Sequence, residues 1–288
     1  MLLKTLLLAF ILAFAGTLSF AQHVTEPANT PKEWSKPYPP FRIAGNLYYV
    51  GTYDLACYLL VTPKGNILIN TGLAASVEEI ESNIEALGFN LADTRILLTT
   101  QAHYDHMGAM AVIKRLTGAK MMVDKKDAGV MADGGKSDYA LGGDTSYEPV
   151  KADKLLQDRD VISLGGTRLT LLHHPGHTKG SCSFIFEVKD GAKTYKVLIA
   201  NMPTIVTNEK FNEITTYPEI VKDYAYTLAA MKKLSFDLWL SSHASQFLLH
   251  EKHKPGDRYN PSAFTDQKGY NAILASLEEQ YRKKIAEK

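Results

Sequence analysis

Gln101, His103, Asp105 and His106 fall within six residues, in the stretch Leu97-Leu98-Thr99-Thr100-Gln101-Ala102-His103-Tyr104-Asp105-His106-Met107-Gly108. Imidazole nitrogens and carboxylate oxygens are both good ligands for divalent zinc. The preceding Ile96-Leu97-Leu98 has the pattern of a buried strand. The polar cluster therefore sits at a strand end, where open α/β sheets place their ligands. One turn can aim these groups two ways: Gln101 and His103 to one side, Asp105 and His106 to the other. The competing reading of so short a motif is a polar turn with two hydrogen-bonded histidines. The metal reading needs more ligands, and the chain supplies them. Of its nine histidines, His177 and His243 also follow apolar strand-like runs. With His103, His106, Asp105 and Gln101 they make two sets of three, each leaving one coordination position open, as catalytic zinc requires. His173 and His174 flank a turn and read as structural or supporting groups. His23, His250 and His253 lie in polar stretches and read as surface residues.

The elements that must position these groups follow from periodicity and punctuation. Strands are expected at Phe41–Val50, Ala56–Val61, Asn66–Asn70, Arg95–Thr100, Ala119–Val123, Val161–Leu164, Thr167–His173, Cys182–Val188, Tyr195–Ala200 and Phe236–Leu240. Helical spacing covers Ser76–Leu87, with Ser76 placed to cap it and Gly88 to end it. Further helices are expected at Met107–Leu116, Lys125–Met131, Glu219–Leu234 and from about Gln267 onward. The polar, glycine-rich stretch from Asp133 to Asp144 is either a plain surface loop or a flap over a site. His23–Pro40 is proline-rich and reads as an extended arm that wraps the domain or reaches the pocket. Strands followed by helices in each half suit two sheets packed together and covered by helices.

The chain has 288 residues and a formal net charge of +1. Lys4, an apolar run from Leu6 to Phe20, and Ser19-Phe20-Ala21 before Gln22 have the form of a secretory signal peptide. That run is shorter than the roughly 20 residues a spanning helix needs. The expected organisation is thus a signal peptide over 1–21 and a single domain over 22–288, exported to the periplasm, monomeric and with no membrane attachment after cleavage. Near-zero charge without a basic block argues against nucleic acid as a partner. The two cysteines, Cys57 and Cys182, sit in apolar runs and read as buried thiols.

Gln101-x-His103-x-Asp105-His106, the turn Pro175-Gly176-His177-Thr178 and the pair Ser242-His243 together resemble the motifs of the metallo-β-lactamase superfamily. Within it, the chain resembles class B, subclass 3 β-lactamases over essentially its whole mature length. The first histidine of the usual His-x-His-x-Asp-His motif is Gln101 here. The GOB-type branch of subclass 3 has glutamine at that place and methionine where Met202 stands. The resemblance implies an α/β fold, an αββα sandwich of two mixed sheets covered by helices. It implies one or two zinc ions, Gln101, His103 and His177 forming the first site and Asp105, His106 and His243 the second. It implies hydrolysis of the amide bond of β-lactam antibiotics (penicillins, cephalosporins and carbapenems).

Several consequences follow from that assignment. Zinc lowers the pKa of bound water to roughly 7, making a nucleophile available at neutral pH. Asp105 would both ligate and orient, or deprotonate, the attacking water. Thr204 would hydrogen-bond the substrate carboxylate. Amide oxygen is a weaker donor than imidazole, so the second site should fill first. Gln101 either ligates or turns away to bond the backbone. Glyoxalase II-like and many lactonase-like relatives carry a bridging aspartate where Met202 stands, and a neutral thioether replaces it poorly. The competing readings are another hydrolase of the same fold, acting on a lactone or thioester, and a zinc-binding protein with a degenerate site.

Overall fold

The glycines and prolines that punctuate the apolar runs become the turns of two mixed sheets. The computed structural model describes residues 24–287. The expected signal peptide and His23 lie outside them. In chain order the elements are β1 (Phe41–Ala44), β2 (Leu47–Tyr49), β3 (Tyr58–Thr62), β4 (Gly65–Ile69), α1 (Val77–Ala86), β5 (Thr94–Leu98), α2 (Tyr104–Met107) and α3 (Met110–Thr117). There follow β6 (Lys120–Asp124), α4 (Ala128–Ala132), β7 (Lys154–Leu156), β8 (Val161–Leu164), β9 (Thr167–His173), β10 (Cys182–Asp190) and β11 (Lys193–Ala200). The last elements are α5 (Ile220–Met231), β12 (Leu238–Ser241), α6 (Leu249–Lys252) and α7 (Gln267–Ile285).

The first sheet has the order β1-β2-β3-β4-β5-β6-β7 and the second β12-β11-β10-β9-β8. β1 to β4 run antiparallel and β4 to β7 parallel. In the second sheet only the β11–β12 pair is parallel. The central strands are apolar on both faces because both faces are covered. Ile67 and Ile69 of β4, with Ile96 and Leu98 of β5, face the core shared with Leu169, Phe184 and Ile199 of the second sheet. Leu68 and Leu97 alternate to the other face, against Ile80 and Ile84 of α1 and Met110 and Ile113 of α3. Each such side chain contributes about 1.5–3 kcal/mol on burial. α5 and α7 cover the second sheet, with the Tyr270 hydroxyl donating to the Met231 carbonyl and Trp239 5.3 Å from the Tyr270 ring. This is the expected αββα arrangement.

Several local expectations need correction. Phe41–Val50 is a hairpin, not one strand; Gly45 turns it at φ +48°. The expected helix Met107–Leu116 is two helices, and the first begins inside the metal-like motif at Tyr104. Ser76 makes no side-chain cap to α1; its hydroxyl accepts instead from the Leu73 amide, closing a tight turn before the helix. α4 starts at Ala128 rather than Lys125, because the Lys126 amide is held by the Asp124 carboxylate. β7 was not legible in Lys154-Leu155-Leu156, where Lys154 and Leu155 are exposed. His250 and His253 are half-buried rather than free on the surface, His250 stacked on Tyr53 at 3.8 Å and His253 on Phe41 at 3.7 Å. Cys57 and Cys182 are free, buried thiols.

Candidate metal centre

The strands end together at one rim, and Thr100 is the knot. Its carbonyl accepts from the amide of Cys182 at 2.9 Å and from the side chain of Asn201 at 2.9 Å; its hydroxyl meets Ser242 Oγ at 2.9 Å. Segments leaving β5, entering β10, leaving β11 and leaving β12 thus converge on one residue. Asn70, just after β4, holds the knot from below: its Oδ1 accepts from the Thr100 amide at 2.9 Å. Asn70 adopts φ +62°, which asparagine tolerates better than most residues. The side-chain nitrogen of Asn201 is spent on this work.

Two clusters of ligand atoms result. His103 Nδ1 and His177 Nε2 are 3.2 Å apart. Asp105 Oδ2 lies 3.2 Å from His106 Nε2 and 3.2 Å from His243 Nε2. Two donors each 2.0–2.1 Å from one tetrahedral ion stand about 3.3–3.4 Å apart. Both clusters therefore have the spacing of groups that share an ion. The Oε1 of Gln101 and both ring nitrogens of His106 are buried and find no hydrogen-bond partner among the described residues. Such orphaned atoms are costly unless something absent from the polypeptide satisfies them. Among the described residues the Gln101 Oε1 makes no hydrogen bond to the backbone, which leaves that oxygen free for an ion. The residues present fit zinc.

Groups behind the ligands fix which ring nitrogen is free. The Thr204 carbonyl, 2.8 Å from His177 Nδ1, can only accept, so Nδ1 carries the proton and Nε2 is left as the donor atom. Asp138 Oδ1 lies 3.4 Å from His103 Nε2. Asp54 Oδ2 lies 3.1 Å from His243 Nδ1, and the same carboxylate accepts from Trp34 Nε1 and the Ser245 amide. Carboxylates and carbonyls behind ligating histidines orient the rings and raise their basicity. Burial alone would raise the pKa of Asp54, but the hydrogen bond and charge of His243 hold it at about 2. Burial is likewise outweighed at Asp138, held at about 2 chiefly by the charge of the neighbouring His103. Burial takes His177 down to about 3. It also lowers His243, but hydrogen bonds to Asp105 and Asp54 outweigh it and lift that ring to about 9.

Five of the expected ligands, His103, His177, Asp105, His106 and His243, thus come together with Thr204 at one rim, and Gln101 lies buried two residues before His103. The Thr204 hydroxyl is 3.0 Å from His177 Nδ1, so this threonine stands against the first cluster. His173 and His174 are supports, as expected: His173 Nδ1 pairs with Asp124 at 2.7 Å and His174 Nδ1 with Ser183 Oγ at 2.8 Å. The turn carrying His177 is clamped from outside. Gly176 adopts φ +131°, and a Cβ there would lie 2.9 Å from the Tyr224 ring. Four participants were missed: Asp54, Trp34, Asp138 and Asp127. The arm does reach the site, the Trp34 ring lying 5.3 Å from that of His243. The Asp133–Asp144 stretch is tied down at Asp138 and through the Tyr139 hydroxyl, which donates to the Gly176 carbonyl at 3.1 Å. Its glycines were the only visible signal, and they marked a loop without marking Asp138.

A family model described as the metallo-β-lactamase superfamily matches residues 51–192. The fold also superimposes on the class B3 di-zinc metallo-β-lactamase LRA-12 from an Alaskan soil metagenome, with a TM-score of 0.90 and 65% identity over 91% of this chain and 100% of that one. This chain belongs to the metallo-β-lactamase superfamily. Within the superfamily it is similarly close to GOB-18 from Elizabethkingia meningoseptica, at 61% identity and a TM-score of 0.91 over 92% and 98% of the two chains. A curated relative, a probable metallo-hydrolase from Burkholderia pseudomallei, is 29% identical over 111 residues, 38% of this chain. The chain spans about a third of that relative's length, 36%.

Proposed function

We propose that this protein is a secreted, zinc-dependent β-lactamase that opens the amide bond of penicillins, cephalosporins and carbapenems. The observation that carries the reading is the pair of ligand clusters, His103 with His177 and Asp105 with His106 and His243; with the buried, unpartnered Oε1 of Gln101 added to the first, each would hold one ion. The high identity to two metallo-β-lactamases over nearly the whole chain supports the substrate class. The apolar run after Lys4 supports export to the periplasm. Among the described residues no helix is long and apolar enough to cross a membrane.

When bound, zinc supplies Lewis-acid polarisation and a water acidic enough to ionise near neutrality. The chain supplies the rest. Asp105 presents one carboxylate oxygen to His106 and His243, which leaves the other to orient and accept a proton from the attacking water. His177 is held in one tautomer by Thr204, and His103 is oriented by Asp138. Asp105 is the one charged residue among the six proposed ligands, so two divalent cations held there would give a positive pit suited to the carboxylate of a β-lactam, moderated by Asp54 and Asp138 behind it. The Thr204 hydroxyl at the rim is the group to receive that carboxylate. Trp34 forms an apolar wall beside His243.

Met202 weighs against a lactone or thioester as the main substrate. Its thioether is fully buried in the apolar core, so this position contributes no bridging carboxylate. The test is a substrate panel of nitrocefin, a carbapenem and an acyl-homoserine lactone, each with and without a chelator. Chelator-sensitive turnover of the lactams is expected. Turnover of the lactone alone would overturn the substrate assignment.

A further inference from the structure

One buried carboxylate outside the ligand sets touches both backbone segments that carry the first cluster. Asp127 precedes α4 and is 1% exposed. Its Oδ2 accepts from the Ala102 amide at 3.0 Å and from the Thr178 hydroxyl at 2.7 Å. Its Oδ1 accepts from the Gly180 amide at 2.6 Å. Ala102 lies between Gln101 and His103, and Thr178 follows His177 directly. Asp127 is thus hydrogen-bonded next to every ligand of the first cluster. The carbonyl of Ala102 is held too, by the Tyr147 hydroxyl at 2.8 Å. The approach to the second segment is close: a Cβ on Gly180 would lie 2.5 Å from the Asp127 amide nitrogen. Among the described residues, Asp127 makes no hydrogen bond to Asp105, His106 or the segment holding His243.

We propose that Asp127 is a positioning residue that sets the metal affinity of the first site selectively. The first ligand set is neutral, two imidazoles and an amide, so it lacks the charge that Asp105 gives the second. Such a set depends on ligands already held at the right separation. The Gln101–His103 and His177 segments are far apart in sequence and come from different sheets. A carboxylate that accepts from both fixes the distance between them. Removing it lets the segments move independently and spreads the spacing of His103 and His177. Losing an outer-sphere support typically lowers metal affinity about 10–100-fold. The second site keeps Asp54 behind His243 and is spared.

This inference rests on the two-site zinc reading, and its test reads metal binding rather than turnover. The whole protein and its Asp127→Ala, Thr178→Val and Thr178→Ser variants are stripped of metal. Stepwise zinc affinities are then measured by competition with a chromophoric chelator, alongside melting curves. The expected result for Asp127→Ala is a loss of about tenfold or more in the weaker step, with under about threefold change in the tighter one. Thr178→Val loses an intermediate amount, and Thr178→Ser, which keeps the hydroxyl, matches the wild type. If Asp127→Ala does not fold, the two Thr178 variants decide by the same selectivity. Equal losses in both steps, or none in either, overturn the proposal. A wild type that binds a single ion overturns the two-site reading and the proposal together. Two ions in the wild type with unaltered affinities in the variants overturn the proposal alone.

Discussion

In the metal-free protein His243 acts as a stabilising cation, and raising the pH should remove that stabilisation. Burial lowers its pKa, but hydrogen bonds to Asp105 and Asp54, with their charges, lift it to about 9. An unfolded histidine titrates near 6.5. A group whose pKa is raised by folding stabilises the fold fully below the unfolded value, and the effect is lost as pH climbs through the folded one. The interval from 6.5 to about 9 is worth about 3 kcal/mol. The partners do not change over that window, since Asp54 is held at about 2 and Asp105 well below its ordinary value. His103, also raised against the pull of burial by Asp138, adds in the same direction. For a domain of this size, about 2–4 °C per kcal/mol makes the fall in melting midpoint about 6–12 °C between pH 6.5 and 9. The assay is a set of melting curves on chelator-stripped protein across that range. With zinc on Nε2 there is no proton there to lose, so loaded protein should show a much flatter profile. Asp54→Asn removes one of the two carboxylates and should shrink the fall in stripped protein. A stripped wild type whose midpoint stays level or rises from pH 6.5 to 9 would refute this reasoning.

Other perturbations separate the two ligand sets. Gln101→His should tighten the first site by about tenfold or more, about 1.4 kcal/mol, by titration calorimetry; an unchanged affinity would mean that the amide is not a ligand. Because Asp105 gives the second site its charge, zinc added to stripped protein should fill that site first, and lactam hydrolysis should begin with the first equivalent. Activity that waits for a second equivalent would contradict that order. Gly176→Ala forces a Cβ against Tyr224 at φ +131° and should cost about 1–3 kcal/mol of stability along with first-site zinc; wild-type melting and metal content would count against the clamp.

What was legible in the sequence divides along a physical line. The candidate ligands were legible because they cluster within one turn or follow apolar runs, and because metal chemistry restricts the residue types. The central strands were legible because burial on both faces makes them continuous apolar runs, as in Ile96-Leu97-Leu98. The residues behind the ligands were not. Asp54, Asp127 and Asp138 are ordinary aspartates whose roles depend on which distant backbone amide or ring the fold brings to them. Asp54 meets a histidine 189 residues away, and Asp127 accepts from Gly180 53 residues on. Trp34 lies in a proline-rich arm with no periodicity to exploit. Local competition explains the rest: Ser76 was placed as a cap by type and spacing, yet its hydroxyl is taken by the turn before α1.

The most direct test combines metal and substrate in one titration. Carbapenem hydrolysis is followed as zinc is returned to chelator-stripped protein, with zinc bound per chain measured in parallel. The ligand geometry predicts negligible turnover without metal, restoration as zinc is added, and loss again with chelator. Full turnover by stripped protein would contradict the metal centre. Two bound zinc ions with no turnover of any β-lactam would contradict the function assigned to it.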